Sequence, residues 1–310
     1  MSDKNRVCGI CFEVVDPDVD FESHVELCRE EQTRVLGAYF NVNEDALVES
    51  RVEKVEKKKK KDEPKMDLTK TQGRAVRFFR KKAKLMSNAT HHLLVEKVIR
   101  LGFDETDLQI LLDFVSRAPI ISFVPLYRAN LFVPFSEEPR MKNLFEVGRG
   151  GGTTNTTRRS RWESTLFNKL YDASEPEERV KYGAFNLDDN PEGVTSAKAY
   201  GDAYFVFHEH VKKRTTMVYG DSSGNASNLH IATPDYFENI LHYLPDNVVN
   251  SMMLKALGAE YAYQNYLYVE IQIHGEVRLD RDVRQVVIKG ESDHRLRELC
   301  EINDIEIVSI

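Results

Sequence analysis

Cys8 and Cys11 form a C-x2-C pair, and His24 and Cys28 follow as H-x3-C. Thiolates and imidazole are the ligands that tetrahedral zinc favours. A C-x2-C turn brings two thiolates to one ion, and H-x3-C sets two ligands one helical turn apart. Four ligands leave no open position, so the pattern predicts a closed structural zinc site of Cys8, Cys11, His24 and Cys28. A module this small cannot fold on an apolar core alone, and zinc would supply its folding free energy. The rival reading is unrelated buried thiols.

A second group of chemically capable residues lies near the other end. From Tyr266 to His274 the chain alternates, with Leu267, Val269, Ile271 and Ile273 on one face. Tyr266, Tyr268, Glu270, Gln272 and His274 share the other, which is the period of a half-buried strand. A carboxylate, an amide and an imidazole in a row make either a solvated face or the wall of a substrate cleft. Glu276, beyond Gly275, is a competing carboxylate. Between them in the chain lies NLFEVGRGGGTTNTTRRSRWE, where glycines let backbone N–H groups approach a phosphate. Arg158, Arg159 and Arg161 follow, suited to bidentate phosphate contacts, with Trp162, the only tryptophan. A flexible surface loop would have the same composition.

The elements that must position these residues fall into three regions. Residues 1–32 form the finger, 33–87 a charged linker rich in Lys and Glu, and 88–310 a larger domain of ordinary globular composition. The KKKKK run at 57–61 is a solvated linker or a nuclear import signal. Leu94, Val98 and Leu101 make one helical stripe, and Leu108, Leu111, Leu112 and Val115 another, with Asp104 or Thr106 as cap and Pro119 as stop. IISFVPLY, KYGAFNL, AYFVFH, RTTMVYG, YLYVEIQIHGEVRL and RQVVIKG read as strands, and TPDYFENILHYL as a helix. Strands and helices do not alternate regularly, so the fold class is α+β. The net charge of −7 argues against a whole-protein attraction to nucleic acid. No run of about 18 apolar residues suggests a membrane helix. The start has no apolar signal core, so the cysteines point to a reducing cytoplasmic or nuclear setting.

CGICFEVVDPDVDFESHVELC resembles the small ubiquitin-binding zinc fingers of DNA-repair proteins, which fold as ββα around C-x2-C and H-x3-C. The resemblance implies that ubiquitin or a ubiquitinated protein is the partner, met by the helix carrying Val25 and Glu26. Residues 13–26 are acid-rich and hold no Lys or Arg, which argues against a nucleic-acid finger. VIRLGFDETDLQILL loosely resembles a ubiquitin-associated domain; its helices read equally as packing elements of the larger domain.

The order FEVG, TTN, RWE, LY, YGAFNL, YGDAYFVF, RTT, GDS and YVEIQIHGEVRLDRDV is similar to a domain family common in bacteria, over about residues 108–310. That family in turn resembles the ADP-ribosyltransferases, in particular effectors that modify a threonine of ubiquitin. The resemblance implies an ADP-ribosyltransferase-like mixed α/β domain with NAD as substrate. It implies Glu270 as the strand-borne catalytic carboxylate, with Gln272 on the same face to orient the acceptor. The superfamily places a Gln or Glu two residues before the catalytic Glu; here Glu comes first. It further implies Arg128, Asn155, Arg161, Trp162, Tyr182 and Asn186 as NAD-binding residues. The expected function is mono-ADP-ribosylation of a protein hydroxyl with the finger tethering ubiquitin. The alternatives are a non-catalytic NAD, ADP-ribose or ubiquitin binding module, and a hydrolase acting on NAD or ADP-ribose.

Overall fold

The computed structural model describes residues 6, 7, 14, 15, 20, 22, 23, 26, 67–124, 140–148, 155–187, 189–194, 201, 203–222, 230–259, 268–290 and 294–310. Cys8, Cys11, His24, Val25, Cys28 and Arg128 lie outside them. Among residues 1–32, β1 (Arg6–Val7) pairs antiparallel with β2 (Val14–Val15). Glu26 is helical and exposed.

The first long element is α1 (Lys70–Arg100). Thr69 caps it: its hydroxyl accepts from the Gln72 amide, and the Gln72 side chain accepts from the Thr69 N–H at 2.9 Å. Buried residues recur at Gln72, Ala75, Phe79, Ala83, Met86, Thr90, Leu94 and Val98, the spacing of one helical stripe. Residues 70–87, assigned to the charged linker by composition, are therefore the first half of this helix. Lysines and arginines on the outer face mask an apolar stripe that only spacing reveals. Phe79 is fully buried, so truncating it to Ala would cost about 3–5 kcal/mol.

Gly102, at φ 92°, turns the chain into α2 (Glu105–Arg117). Asp104 is its cap, accepting from the amides of Thr106 and Asp107 at 2.7 and 2.9 Å. Leu94, Val98, Leu108, Leu111 and Val115 all enter the main core, so these helices are packing elements of the larger domain.

The domain is α+β, built on a seven-stranded mixed sheet. The strands are β3 (Ile120–Val124), β4 (Lys181–Phe185), β5 (Ala203–Phe207), β6 (Thr215–Tyr219), β7 (Val269–Ile273), β8 (Val283–Ile288) and β9 (Glu306–Ser309). Their spatial order is β6-β7-β4-β3-β5-β8-β9, antiparallel throughout except for the parallel β8–β9 pair. The remaining helices are α3 (Leu144–Val147), α4 (Thr156–Leu166), α5 (Glu238–Tyr243), α6 (Asp246–Ala256), α7 (Leu279–Asp282) and α8 (His294–Ile302). No described helix is long and apolar enough to cross a membrane.

β7 lies between β4 and β6, and its two faces enter different layers. Val269, Ile271 and Ile273 join the main core with α1, α2, α5 and α6. The opposite face looks toward a smaller cluster of Ala75, Phe79, Leu166, Phe167, Tyr171, Val218 and Ile231. Every residue of β7 is buried, so the half-buried strand expected from alternation is instead covered on both sides. The second cover is α4 and the first half of α1, elements that strand periodicity alone does not reveal.

The end of β7 is held by a buried charge cluster. Asp282 is fully buried and meets Arg214 Nη2 at 2.9 Å, Arg281 Nη2 at 2.8 Å and His210 Nε2 at 2.8 Å. It also accepts from the Arg278 amide at 2.7 Å. Arg214 in turn donates to the carbonyl of His274 at 2.7 Å.

Candidate active site

Pairing register places the candidate side chains in rows. Glu270 stands between Ala184 of β4 and Val218 of β6, and Gln272 between Tyr182 and Thr216. Tyr182, Gln272 and Thr216 thus share one face with Glu270, one row apart. Gly183 permits this: a Cβ there would lie 2.2 Å from the Ile121 carbonyl, so only glycine lets β4 pass β3 this closely.

Helix α4 lies over this face. Asn155 is its N-cap, accepting from the Arg158 amide at 2.8 Å. Arg159 and Glu163 are one turn apart and point inward together. The Arg159 guanidinium sits 4.2 Å from the Tyr182 ring centroid and 5.2 Å from that of Trp162, and Arg158 covers Trp162 at 4.8 Å. Glu163 is buried and accepts from the Tyr182 hydroxyl at 2.9 Å and from Arg179 at 3.0 Å. Burial raises the Glu163 carboxyl, and Arg179, Tyr182 and Arg159 offset only part of that rise.

Glu270 is 3 % exposed, and Gln272 donates to its Oε1 at 3.0 Å. Burial pushes the Glu270 carboxyl up to about 7, against the pull of the Ser222 hydroxyl, Arg159 and the Gln272 amide; Asp221 adds to the rise. Arg159 keeps its charge: burial opposes it, but Tyr182, Glu270 and Glu163 more than compensate. Nε and Nη1 of Arg159 are buried and meet no hydrogen-bond partner among the described residues. Such donors are costly to leave unmet, by about 1–3 kcal/mol each.

Behind Gln272 the polar contacts continue. Thr216 Oγ1 donates to Gln272 Oε1 at 3.0 Å and lies 3.1 Å from His274 Nε2. His274 Nδ1 lies 2.7 Å from the Tyr171 hydroxyl. His274 is fully buried, and burial with the nearby Arg214 pushes its imidazole down to about 3, so it is neutral.

The expected site residues therefore divide. Glu270, Gln272 and Tyr182 come together beneath α4, and Trp162, on α4 itself, is linked to Tyr182 through the Arg159 guanidinium that sits over both rings. Asn155 is exposed and serves as a helix cap. Arg161 is exposed, two residues along α4 from Arg159 and so on another face of the helix. Asn186 is buried, with its amide in the turn after β4: it donates to the Asn190 carbonyl at 2.8 Å and accepts from the Asn190 amide. Glu276 leaves the sheet after Gly275, and its side chain is 41 % exposed. Arg128 lies outside the described residues, as do the four expected zinc ligands; no metal-ligating cluster occurs among the described residues.

Arg159 is named from sequence only as one of three clustered arginines, with Arg161 preferred for NAD, and Glu163, Thr216, Tyr171 and the buried role of His274 are not singled out as a site. A signal for two of them exists: Asn155 as cap, then Arg159, Glu163 and Leu166 at helical spacing, puts the charged pair on the side of a core residue.

The arrangement offers a dry carboxylate with proton affinity near neutrality, a cation with donors to spare, and an aromatic platform. That combination can stabilise a developing positive charge, exchange a proton, and hold an anion.

Residues 135–261 match a family described as a protein of unknown function (DUF3626). The match takes in α3, α4, β4, β5, β6, α5 and α6, including Arg159, Trp162, Glu163, Tyr182 and Thr216. Glu270 and Gln272 lie beyond its C-terminal limit. No curated protein matches the chain.

Proposed function

We propose that the chain is a mono-ADP-ribosyltransferase that uses NAD to modify a protein hydroxyl, a threonine of ubiquitin, with the zinc finger binding ubiquitin. The observation that carries the reading is the buried Glu270 carboxylate, held by Gln272 and facing the Arg159 and Tyr182 stack. In the reaction the glycosidic bond to nicotinamide breaks and nicotinamide leaves with the bonding electrons. The ribose then carries oxocarbenium character, which a preorganised carboxylate stabilises. The acceptor hydroxyl forms the new bond to the same carbon and gives up its proton, for which Glu270 has a suitable proton affinity. Arg159 is the group of this site best suited to the dinucleotide's phosphates, because its unmet donors are already buried beside Glu270. Trp162 and Tyr182 supply flat apolar faces for an aromatic ring. Tethering ubiquitin through the finger raises its effective concentration at the transferase domain.

The order Glu then Gln favours one rival, a domain that binds NAD or ADP-ribose without turnover. The test separates them. The full chain is incubated with NAD and ubiquitin, and the ubiquitin is weighed by intact mass spectrometry. The expected result is a gain of one ADP-ribose unit, lost with Glu270→Gln. No gain with NAD intact overturns the transferase in favour of a binding module, and no gain with NAD consumed overturns ubiquitin as acceptor, leaving a hydrolase or a transferase with another acceptor.

A further inference from the structure

The hydrogen bonds behind Glu270 run in one direction, and the direction follows from which atoms can donate. An ionised carboxylate only accepts. Gln272 must therefore present its amide nitrogen to Glu270 Oε1, at 3.0 Å. The Gln272 carbonyl oxygen then faces Thr216 Oγ1 at 3.0 Å, and the hydroxyl must donate to it. Thr216 has one proton to give, so toward His274 Nε2, at 3.1 Å, its oxygen can only accept. That puts the single proton of the neutral imidazole on Nε2 and leaves Nδ1 to accept from the Tyr171 hydroxyl at 2.7 Å. Four bonds in series, from Tyr171 through His274, Thr216 and Gln272, all point at the carboxylate.

We infer that Tyr171, His274 and Thr216 are positioning residues: they fix the orientation of the Gln272 amide and so hold Glu270 as an aimed carboxylate. All three, with Gln272, are 3 % exposed or less. A buried polar chain of this kind is stable only when every member is paired. An amide has nearly the same shape in its two flipped orientations, so packing alone cannot choose between them. The flipped amide would set its oxygen against the carboxylate and its N–H toward Thr216, whose own proton would then have no acceptor, because His274 Nε2 already carries one. Tyr171 and His274 exclude that state by settling where each proton sits. The other groups facing Glu270 are Arg159 of α4, Tyr182 of β4, and Asp221 and Ser222 after β6; those facing His274 are Arg214 and the Phe167 ring.

The catalytic meaning of this hydrogen-bond series rests on the function proposed above, but its existence does not, and NMR on the 310-residue chain without NAD tests it. Long-range proton–nitrogen spectra of His274 at pH 8 are expected to show the Nε2–H tautomer in the wild type. Tyr171→Phe is expected to let the other tautomer appear. The carboxyl carbon of Glu270 is then titrated in the wild type, Thr216→Val and Thr216→Ser. Thr216→Val is expected to raise the Glu270 midpoint by about one pH unit, since the Gln272 amide loses its anchor. Thr216→Ser, which keeps the hydroxyl, is expected to match the wild type. An Nδ1–H tautomer in the wild type, or an unmoved midpoint in Thr216→Val, would overturn the proposal. If Thr216→Val does not fold, the wild-type tautomer still decides. An inactive protein that shows the expected spectra would defeat the transferase and leave the chain standing.

Discussion

Gln272 donates from Nε2 to Oε1 of Glu270 across 3.0 Å, although the two residues lie two apart on the same strand. On a strand this spacing puts both on one face, and here that face is covered by α4. The amide thus supports the carboxylate from within β7, whichever of the two comes first in the chain.

The pH dependence of Glu270 gives opposite signs for activity and stability. Acting as a carboxylate, it must be ionised, so kcat/KM should rise through the acidic range and level off above about pH 7. Glu270→Gln should lower kcat by at least about a hundredfold, measured by nicotinamide release. Burial lifts the carboxyl from its ordinary 4.5 to about 7, so folding favours the protonated form. The cost of ionising it is absent below pH 4.5, grows through that interval, and reaches about 3 kcal/mol above it. Glu270→Gln should therefore melt at a higher temperature than wild type at pH 8, with the gap closing at pH 4.

Arg159 and Arg161 lie on the same helix and should behave differently. Arg159→Ala removes the buried cation over Tyr182 and should weaken NAD binding at least about tenfold, read by calorimetry. Arg161→Ala, at an exposed position, should leave binding unchanged. The reverse result would return the phosphate role to Arg161.

Asp282 should matter for stability. Burial works against its charge, but His210, Arg281 and Arg214 hold the carboxyl well below the usual carboxylate range. Its contribution is present throughout neutral pH and is lost only as pH falls through that depressed value. Asp282→Ala leaves Arg214 buried without its partner and should cost about 3–5 kcal/mol in urea unfolding at pH 7.

The finger makes a separable prediction. The purified 310-residue chain should carry one zinc by elemental analysis, lost when Cys8 and Cys11 are both changed to Ser. That double variant should lose ubiquitin binding yet still bind NAD. Retained ubiquitin binding without zinc would detach the finger from the partner.

The sequence by itself determined six of the seven strands of the large sheet, all but β9, and the two faces of β7. Alternation set Glu270, Gln272 and His274 on one side of β7, and the caps at Asp104 and the stripe from Leu108 to Val115 were readable because local spacing and local hydrogen bonds decide them. The α+β class was also legible, in the irregular succession of strands and helices. Tertiary structure decided what covers that strand face. Two layers bury β7, because α1 begins at Lys70 and carries Phe79 to the side where Tyr171 and Val218 meet. It decided which arginine faces the carboxylate: Arg158, Arg159 and Arg161 are equivalent as composition, and only the docking of α4 points Arg159 inward. It also decided that His274 is buried between Tyr171 and Thr216, partners 103 and 58 residues away. Periodicity reports which residues share a face; what that face meets depends on contacts between distant segments, which no local pattern encodes.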